Sequence, residues 1–191
     1  GADICDLSSH VQQLTCNRKD AAAFRALVAP LQSFDVVVDF SSVAKPDRLQ
    51  IALDVLSCVQ VGLFVYISSD SVYEVCEYEK PPGTFMKEEF ATRPRDVRRR
   101  MKLAQADEYA EGKMRCEELL KKTARNSDLK YTCLRLPDVI GPCDNTPRFW
   151  LYQLWLSVSH DHPVSLGDGA CSAPLSFVYS GDVATAVSAV A

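Results

Sequence analysis

Tyr109 and Lys113, one helical turn apart, are the residues whose types and spacing most clearly suggest chemistry. They lie in the segment EYAEGKMRCEELL, which has the composition of a helix, and a spacing of four places both side chains on one face. An ammonium group beside a phenol favours the phenolate, which allows a tyrosine to act as a general acid or base near neutral pH. Taken alone, the pair is also compatible with a solvated helix face.

A second candidate is the serine-rich segment SSDSVY, residues 68–73, which follows an apolar run typical of a buried strand. In parallel sheets, ligands bind outside the carboxyl ends of the strands. A serine at such a position can donate a hydrogen bond to a substrate hydroxyl or carbonyl oxygen. A serine-rich turn without function is the alternative, and Asp70 is equally suited to forming that turn.

Two other clusters are weaker. His160 and His162 form an HxH pair of the kind that binds metal on a strand, but they precede a proline in a turn-like stretch with no third ligand in view. We therefore predict no metal site. The aromatic segment RFWLYQLW, residues 148–155, is apolar nearly all round, and we interpret it as core or as a packing surface for another lobe.

Apolar runs alternate with helix-like segments along the chain, which is typical of βαβ units and a parallel sheet with helices on both faces. Residues 74–103, with several prolines and many charges, are predicted to be irregular. The sequence predicts strands at 34–40, 62–69, 130–136, 163–166 and 175–179, a turn at 137–142, and helices at 46–60, 104–125, 148–158 and 181–190.

The composition narrows the class of protein. With 191 residues, 47% hydrophobic and 24% charged, the chain has the balance of one globular α/β domain. A net charge of −4 argues against a dedicated nucleic-acid binder, and no apolar run is long enough for a transmembrane helix. Eight cysteines without a CxxC pair favour a reducing compartment, so we expect a cytoplasmic location.

Four segments, in this order, resemble the extended short-chain dehydrogenase/reductase family, in its NAD-dependent epimerase/dehydratase branch: YISSDSVY, the Tyr109–Lys113 pair, LRLPDVIGP and SFVYSGDVATAV. The resemblance covers nearly the whole chain. It implies catalysis by Ser69, Tyr109 and Lys113. In the family the tyrosinate takes a proton from a substrate hydroxyl while hydride passes to NAD or NADP, and the serine polarises the reacting oxygen.

The resemblance also implies a Rossmann-like fold, incomplete at both ends. Residues 1–191 would form a partial NAD(P)-binding domain, with about 143–180 leading into a truncated substrate lobe. It implies a small-molecule substrate, such as a nucleotide sugar, and a homodimer packed through residues 46–60 and 104–125. A looser likeness places Arg18 in a turn near the adenine. The implied substrate contacts are Ser69, Asp70 and Arg148, and the implied cofactor contacts are Asp39, Phe40, Ser41, Ser42, Tyr109, Lys113, Leu136, Pro137 and Val139.

Three departures from the family qualify these expectations. The sequence has no GxxGxxG loop, so we expect the chain as given to bind dinucleotide poorly and to be inactive alone. Glu74 replaces a glycine that usually follows the Val-Tyr pair. The stretch between Ser69 and Tyr109 is also longer than expected, either as a lid over the substrate or as a surface loop, and we favour the loop.

Residues 93–102 carry six basic side chains and one acid, which suits a phosphate, an acidic partner or simply solvent. Two functions from different classes therefore stay open. The first is an NAD(P)-dependent oxidoreductase or epimerase/dehydratase. The second is a non-catalytic relative that binds RNA or protein, with residues 93–102 as its contact.

Overall fold

The central feature of the fold is a parallel sheet of three strands, in the order β1–β2–β3. The computed structural model describes residues 11–77, 86–142, 144, 146, 148–158 and 175–191, apart from the side chain of Arg148. Strand β1 is Ser33–Asp39, β2 is Gln60–Ser69 and β3 is Tyr131–Leu136. Their β-branched and aromatic residues suit buried strands.

The register of the sheet brings three strand ends together. Asp39 of β1 pairs with Tyr66 of β2, and Ser69 at the end of β2 pairs with Leu136 at the end of β3. Because all three strands are parallel, their carboxyl ends lie at one edge of the sheet. The predicted site residues on these strands therefore share that edge.

Three helices cover the sheet: α1 (Ala21–Val28), α2 (Pro46–Leu56) and α4 (Glu108–Arg125). Their apolar side chains form one core with β2, in which Leu49 and Leu120 pack with Phe64 and Tyr66. Pro46 is in the first turn of α2, where its missing N–H has no helical partner to lose. Helices α2 and α4, through which the family resemblance implies homodimer packing, contact each other within this chain.

A smaller core lies at the carboxyl end of β2. A short 3-10 helix, Asp70–Val75, follows the strand, and its Val72 and Val75 are buried against Ala110 and Met114 of α4. Ser69 immediately precedes this 3-10 helix and Tyr109 immediately precedes Ala110. The packing therefore brings the predicted serine and the predicted tyrosine to the same end of the sheet.

Helix α4 approaches the loop after β1 closely at Gly112. A Cβ atom at Gly112 would lie 2.2 Å from the carbonyl oxygen of Ala44, so only glycine fits there. The preceding residue, Val43, has a φ of +46°, which is strained for a β-branched residue. Its carbonyl accepts a hydrogen bond from the hydroxyl of Tyr66, and burial raises the pKa of that hydroxyl. The hydrogen bond from Tyr66, a core residue, therefore fixes the backbone of this loop.

The predicted irregular region and the predicted helix at 104–125 are both corrected. The chain forms a 3-10 turn, Glu88–Phe90, and then helix α3, Val97–Ala106. Helix α4 starts separately at Glu108. Aspartates account for both starts, because Asp96 accepts a hydrogen bond from the amide of Arg99 and Asp107 accepts one from Ala110.

The C-terminal part contains a second, two-stranded parallel sheet. Strand β4 (Asp138–Ile140) lies in the segment predicted as a turn, and it pairs with β5 (Phe177–Tyr179). Helix α6, Ser180–Val190, follows with Asp182 in its first turn. The predicted strand at 163–166 lies outside the described residues.

Helix α5, Arg148–Val158, forms where it was predicted, but its side chains from Phe149 to Val158 are exposed. The aromatic segment was interpreted as core or as a packing surface for another lobe, and the first of these interpretations is therefore wrong. Within the described ranges, no helix has the length and hydropathy needed to cross a membrane.

Replacing Gly112 with alanine tests the contact between α4 and Ala44. An alanine inside a helix usually stabilises it by about 0.5–1 kcal/mol relative to glycine. Here the clash with a backbone oxygen reverses the sign, and we expect a loss of about 1–3 kcal/mol in the free energy of unfolding. Denaturant titration measures the change. Arg115→Ala, on the exposed face of the same helix, is the control. A more stable Gly112→Ala variant would contradict the packing.

Candidate active site

Lys113 is buried at the carboxyl end of β2. Its side chain is carried by α4, and its ammonium donates a hydrogen bond of 2.6 Å to the carbonyl oxygen of Ile67. The residue is only 4% exposed, and burial lowers the pKa of the ammonium against the opposing charges nearby. An ammonium has three donors, so two remain for other partners after the bond to Ile67.

Tyr109 lies one turn before Lys113 and is accessible. The residue is 45% exposed, and the Lys113 nitrogen lies 5.7 Å from the centroid of its ring. The same nitrogen lies 5.0 Å from the buried ring of Tyr66. The two side chains that the sequence predicts as a pair are therefore neighbours, with the cation fixed and the phenol open to a ligand.

Ser69 ends β2 and caps the 3-10 helix that follows. Its hydroxyl oxygen accepts a hydrogen bond of 3.2 Å from the amide of Ser71, in the manner of a helix cap. Ser69 is nearly buried, and its hydroxyl also lies 3.4 Å from the carboxylate of Asp70. Burial raises the pKa of Asp70 despite the hydrogen bond from Ser69.

A carboxylate on α4 connects the helix to two strands. Glu117 accepts hydrogen bonds of 3.0 and 2.7 Å from the guanidinium of Arg135 on β3, and one of 2.6 Å from the hydroxyl of Ser68 on β2. These hydrogen bonds raise the pKa of Arg135 above its ordinary value. Because Glu117 is one turn after Lys113, the network fixes the rotation of α4 about its axis.

Arg135 also holds the segment that follows Ser69. Its guanidinium donates a hydrogen bond of 3.1 Å to the hydroxyl of Tyr73 and lies over that ring at 5.2 Å from the centroid. It donates a further bond of 3.0 Å to the carbonyl of Glu88. One charged side chain therefore joins β3, the 3-10 helix and the region before α3.

The long stretch between Ser69 and Tyr109 is held against α4. Arg93 binds Glu118 at 2.6 and 3.0 Å and also binds Glu111. Burial disfavours the charge of Arg93, but these two carboxylates outweigh it and raise its pKa. An open cleft of about 1,820 Å³ lies between this stretch, the 3-10 helix and β3. Asp70, Leu136 and Pro137 are among its lining residues.

At the end of β1, Asp39 forms a network of its own. Arg18 binds the Asp39 carboxylate at 3.2 and 3.4 Å, and the amides of Ser41 and Ser42 donate to the same carboxylate at 2.8 and 2.9 Å. Burial acts to raise the pKa of Asp39, but the bonds from Ser42 and Arg18 outweigh it and hold the pKa below its usual value. Phe40 next to it is 62% exposed.

The structure brings most predicted residues to one edge of the sheet, where the three strands end. Asp39, Ser69 and Leu136 are the last residues of β1, β2 and β3. The other predicted residues on this side of the sheet follow these strand ends: Phe40, Ser41, Ser42, Asp70, Pro137 and Val139. Tyr109 and Lys113 reach the edge from α4. Arg148 is the first residue of α5, and its side chain lies outside the described part of the chain, as do His160 and His162. Among the described residues, no three His, Cys, Asp or Glu side chains group as metal ligands.

Sequence reasoning missed Glu117 and Arg135. Both left a signal, since Glu117 continues the four-residue spacing of Tyr109 and Lys113, and Arg135 is a lone charge inside the strand YTCLRL. The ion pair between Arg18 and Asp39 was also missed, because the two residues are far apart in sequence and no local pattern links them.

Asp39→Asn tests the network at the end of β1. The folded pKa of Asp39 lies below its usual value of 3.8, so its stabilising effect is complete above that pH and is lost as pH falls through the folded pKa. We expect a loss of about 2 kcal/mol in the free energy of unfolding near neutral pH, shrinking in acid. Denaturant titrations across this pH range measure it. Asp54→Asn, on an exposed turn of α2, should change stability little at any pH, and an equal effect would refute the assignment.

Glu117→Gln tests the network that fixes α4. The amide keeps the shape and one acceptor but leaves Arg135 without its opposite charge, and we expect a loss of about 2 kcal/mol. The neighbouring Glu118→Gln, in a more exposed ion pair whose Arg93 keeps Glu111, should cost about 0.5 kcal/mol. Thermal and denaturant unfolding of the two variants give the comparison. A reversed order would show that Glu117 does not hold the helix.

Solved structures similar in fold to this chain come from several sugar-nucleotide enzymes. UDP-glucuronic acid 4-epimerase from Bacillus cereus, in complex with UDP-glucuronic acid and NAD, is 19% identical with a TM-score of 0.66, covering 96% of this chain and 56% of that one. dTDP-glucose 4,6-dehydratase from Bacillus anthracis, in complex with NAD, is 16% identical with a TM-score of 0.63, covering 93% and 53%.

RMD from Pseudomonas aeruginosa, complexed with NADPH, is 18% identical with a TM-score of 0.63, covering 91% of this chain and 60% of that one. These likenesses establish the Rossmann-like fold. The chain spans little more than half the length of these structures. A search among curated proteins finds no match.

The model of one protein family matches almost the entire sequence, over residues 7–191. Its description is the NAD-dependent epimerase/dehydratase family. The match includes all four segments that suggested the resemblance, and the parallel sheet agrees with it. The chain therefore belongs to the NAD-dependent epimerase/dehydratase family.

Proposed function

We propose that this chain provides the acid–base residues of an NAD(P)-dependent epimerase, dehydratase or reductase that acts on a hydroxyl or carbonyl group of a nucleotide sugar. The observation that carries the proposal is the pairing of a buried, fixed ammonium at Lys113 with the accessible phenol of Tyr109. The epimerase and dehydratase among the similar structures are named for nucleotide-sugar substrates, which supports that substrate class.

Tyr109 acts as the general base. Its phenolate oxygen takes the proton of a substrate hydroxyl as the carbon that bears the hydroxyl is oxidised to a carbonyl, and it returns the proton when the carbonyl is reduced. A bound nicotinamide would supply the hydride acceptor, and on the return the hydride donor, for that carbon. An exposed ring suits this role, because the oxygen must reach the substrate directly.

Lys113 stabilises the phenolate electrostatically. Its charge is held in a site that excludes most water, where a nearby charge acts more strongly than in solution. The hydrogen bond to the Ile67 carbonyl fixes the nitrogen, and its remaining donors are available for a ribose hydroxyl of the cofactor. The depressed pKa of Lys113 reflects the same burial.

Ser69 orients the reacting oxygen. Its hydroxyl oxygen accepts the Ser71 amide, and its proton, which points to the Asp70 carboxylate or the Ser71 hydroxyl in the chain without substrate, turns to the substrate oxygen when substrate binds. Asp70, with its raised pKa, lies beside it and lines the cleft. We assign Asp70 to substrate contact.

The described residues fit one end of a dinucleotide better than the other. At the nicotinamide end, Lys113 has free donors, and Leu136, Pro137 and Val139 provide apolar surface. At the end of β1, the amides of Ser41 and Ser42 already donate to Asp39, so they are not open donors for a phosphate. Contact there would fall to exposed Phe40, and the pyrophosphate is not assigned to residues of this chain.

Tyr109→Phe tests the proposal on the native protein, with a nucleotide sugar as substrate. Removing the phenol oxygen should lower kcat by about a thousandfold, the range of a lost general base. NADH affinity, measured by fluorescence titration, should stay the same because the ring and Lys113 remain. Steady-state kinetics measure the change in kcat.

The matched control is Tyr131→Phe, the same change at the start of β3, at the opposite end of the sheet. Its kcat should equal that of the wild type. Full turnover by the Tyr109 variant would remove Tyr109 from its role. A wild-type protein that binds NADH but turns over no nucleotide sugar would favour the non-catalytic alternative.

A further inference from the structure

Helix α3 carries four basic side chains and no acidic one within Val97–Ala106. No residue of the helix is buried. Its two large apolar outward residues are also exposed, Val97 at 67% and Met101 at 57%. Two exposed apolar side chains therefore lie next to basic side chains on the solvent-facing side of the helix.

The inner side of α3 is nevertheless fixed. Leu103 packs against the small core at the start of α4, and Arg99 donates a hydrogen bond to the carbonyl of Glu77. Asp96 caps the first turn through the amide of Arg99. The helix therefore presents its outer side in a defined orientation.

Two parallel rows form the outer side. Val97 and Met101 are four residues apart, and so are Arg98 and Lys102, so each pair is aligned along the helix. Within the described part of the chain, Arg98 and Lys102 take part in no salt bridge. Like charges four residues apart destabilise a helix, so this row costs stability that no ion pair among the described residues offsets.

We propose that the outer side of α3, formed by Val97, Arg98, Met101 and Lys102, docks an acidic amphipathic helix of a partner protein. The row of Arg98 and Lys102 is complementary to carboxylates on a partner. The adjacent row of Val97 and Met101 can pack against aliphatic side chains at the same helical spacing. A protein segment meets both demands. Nucleic acid meets only the first, because α3 has no aromatic residue for base stacking and the chain as a whole is negatively charged.

The experiment uses a fluorescein-labelled helical peptide in which a row of leucines runs beside a row of glutamates. A peptide of the same composition in shuffled order and a labelled oligouridine are the comparison ligands. Fluorescence anisotropy with the native protein should show saturable binding of the ordered peptide only, weakening as salt rises.

Arg98→Glu should lower the affinity for the ordered peptide about tenfold, because an attraction becomes a repulsion. The same change places an acid four residues before Lys102, so the melting temperature should stay equal or rise. Met101→Ser should weaken binding severalfold. Arg48→Glu, the same charge change at an exposed position of α2, should leave affinity unchanged.

Equal binding of the shuffled peptide, or unchanged affinity of Arg98→Glu, would overturn the proposal. Tighter binding of oligouridine than of the ordered peptide would overturn it in favour of a nucleic-acid surface. Each of these measurements is independent of turnover, so they stand apart from the proposed catalytic function.

Discussion

The arrangement of the candidate site depends on the hydrogen bonds that the carboxylate of Glu117 accepts. This carboxylate binds Arg135 on one strand and Ser68 on the next, and it is carried by the helix that also carries Tyr109 and Lys113. A helix packed only through apolar contacts can rotate slightly without a large loss of burial. Charge-assisted hydrogen bonds to two strands remove that freedom, because they are directional.

A second constraint on the position of α4 comes from the loop after β1. Gly112 lets the helix pack directly against the backbone of Ala44 in that loop. The helix is therefore held from two sides, by polar bonds to the strand ends and by a close backbone contact. Lys113 lies between them and can be buried because its position is fixed and the Ile67 carbonyl receives one of its protons. Without that hydrogen bond, burying the ammonium would cost more free energy, and the lowered pKa of Lys113 reflects the cost that burial imposes on its charge.

Local sequence patterns were sufficient for β1, β2, β3, β5 and α2, and for the pairing of Tyr109 with Lys113, since each depends on short-range periodicity and apolar composition. They failed between residues 97 and 107, where charge density hid helix α3 and where Asp107 divides what looked like one continuous helix. For α5 they located the helix, but the interpretation of its apolar side chains as core was wrong, because these side chains are exposed. The pairs Glu117–Arg135 and Arg18–Asp39 join distant segments, and only the three-dimensional fold brings their partners together.

The division at Asp107 has an evolutionary consequence. Because this aspartate caps α4 with its own side chain, α4 does not need α3 to define where it begins. The stretch before it can therefore gain or lose residues, or change its charge, while the phase of the helix bearing Tyr109 is preserved. The proposed docking surface can diversify at this joint without moving the proposed catalytic residues, so the two proposed functions can be selected separately.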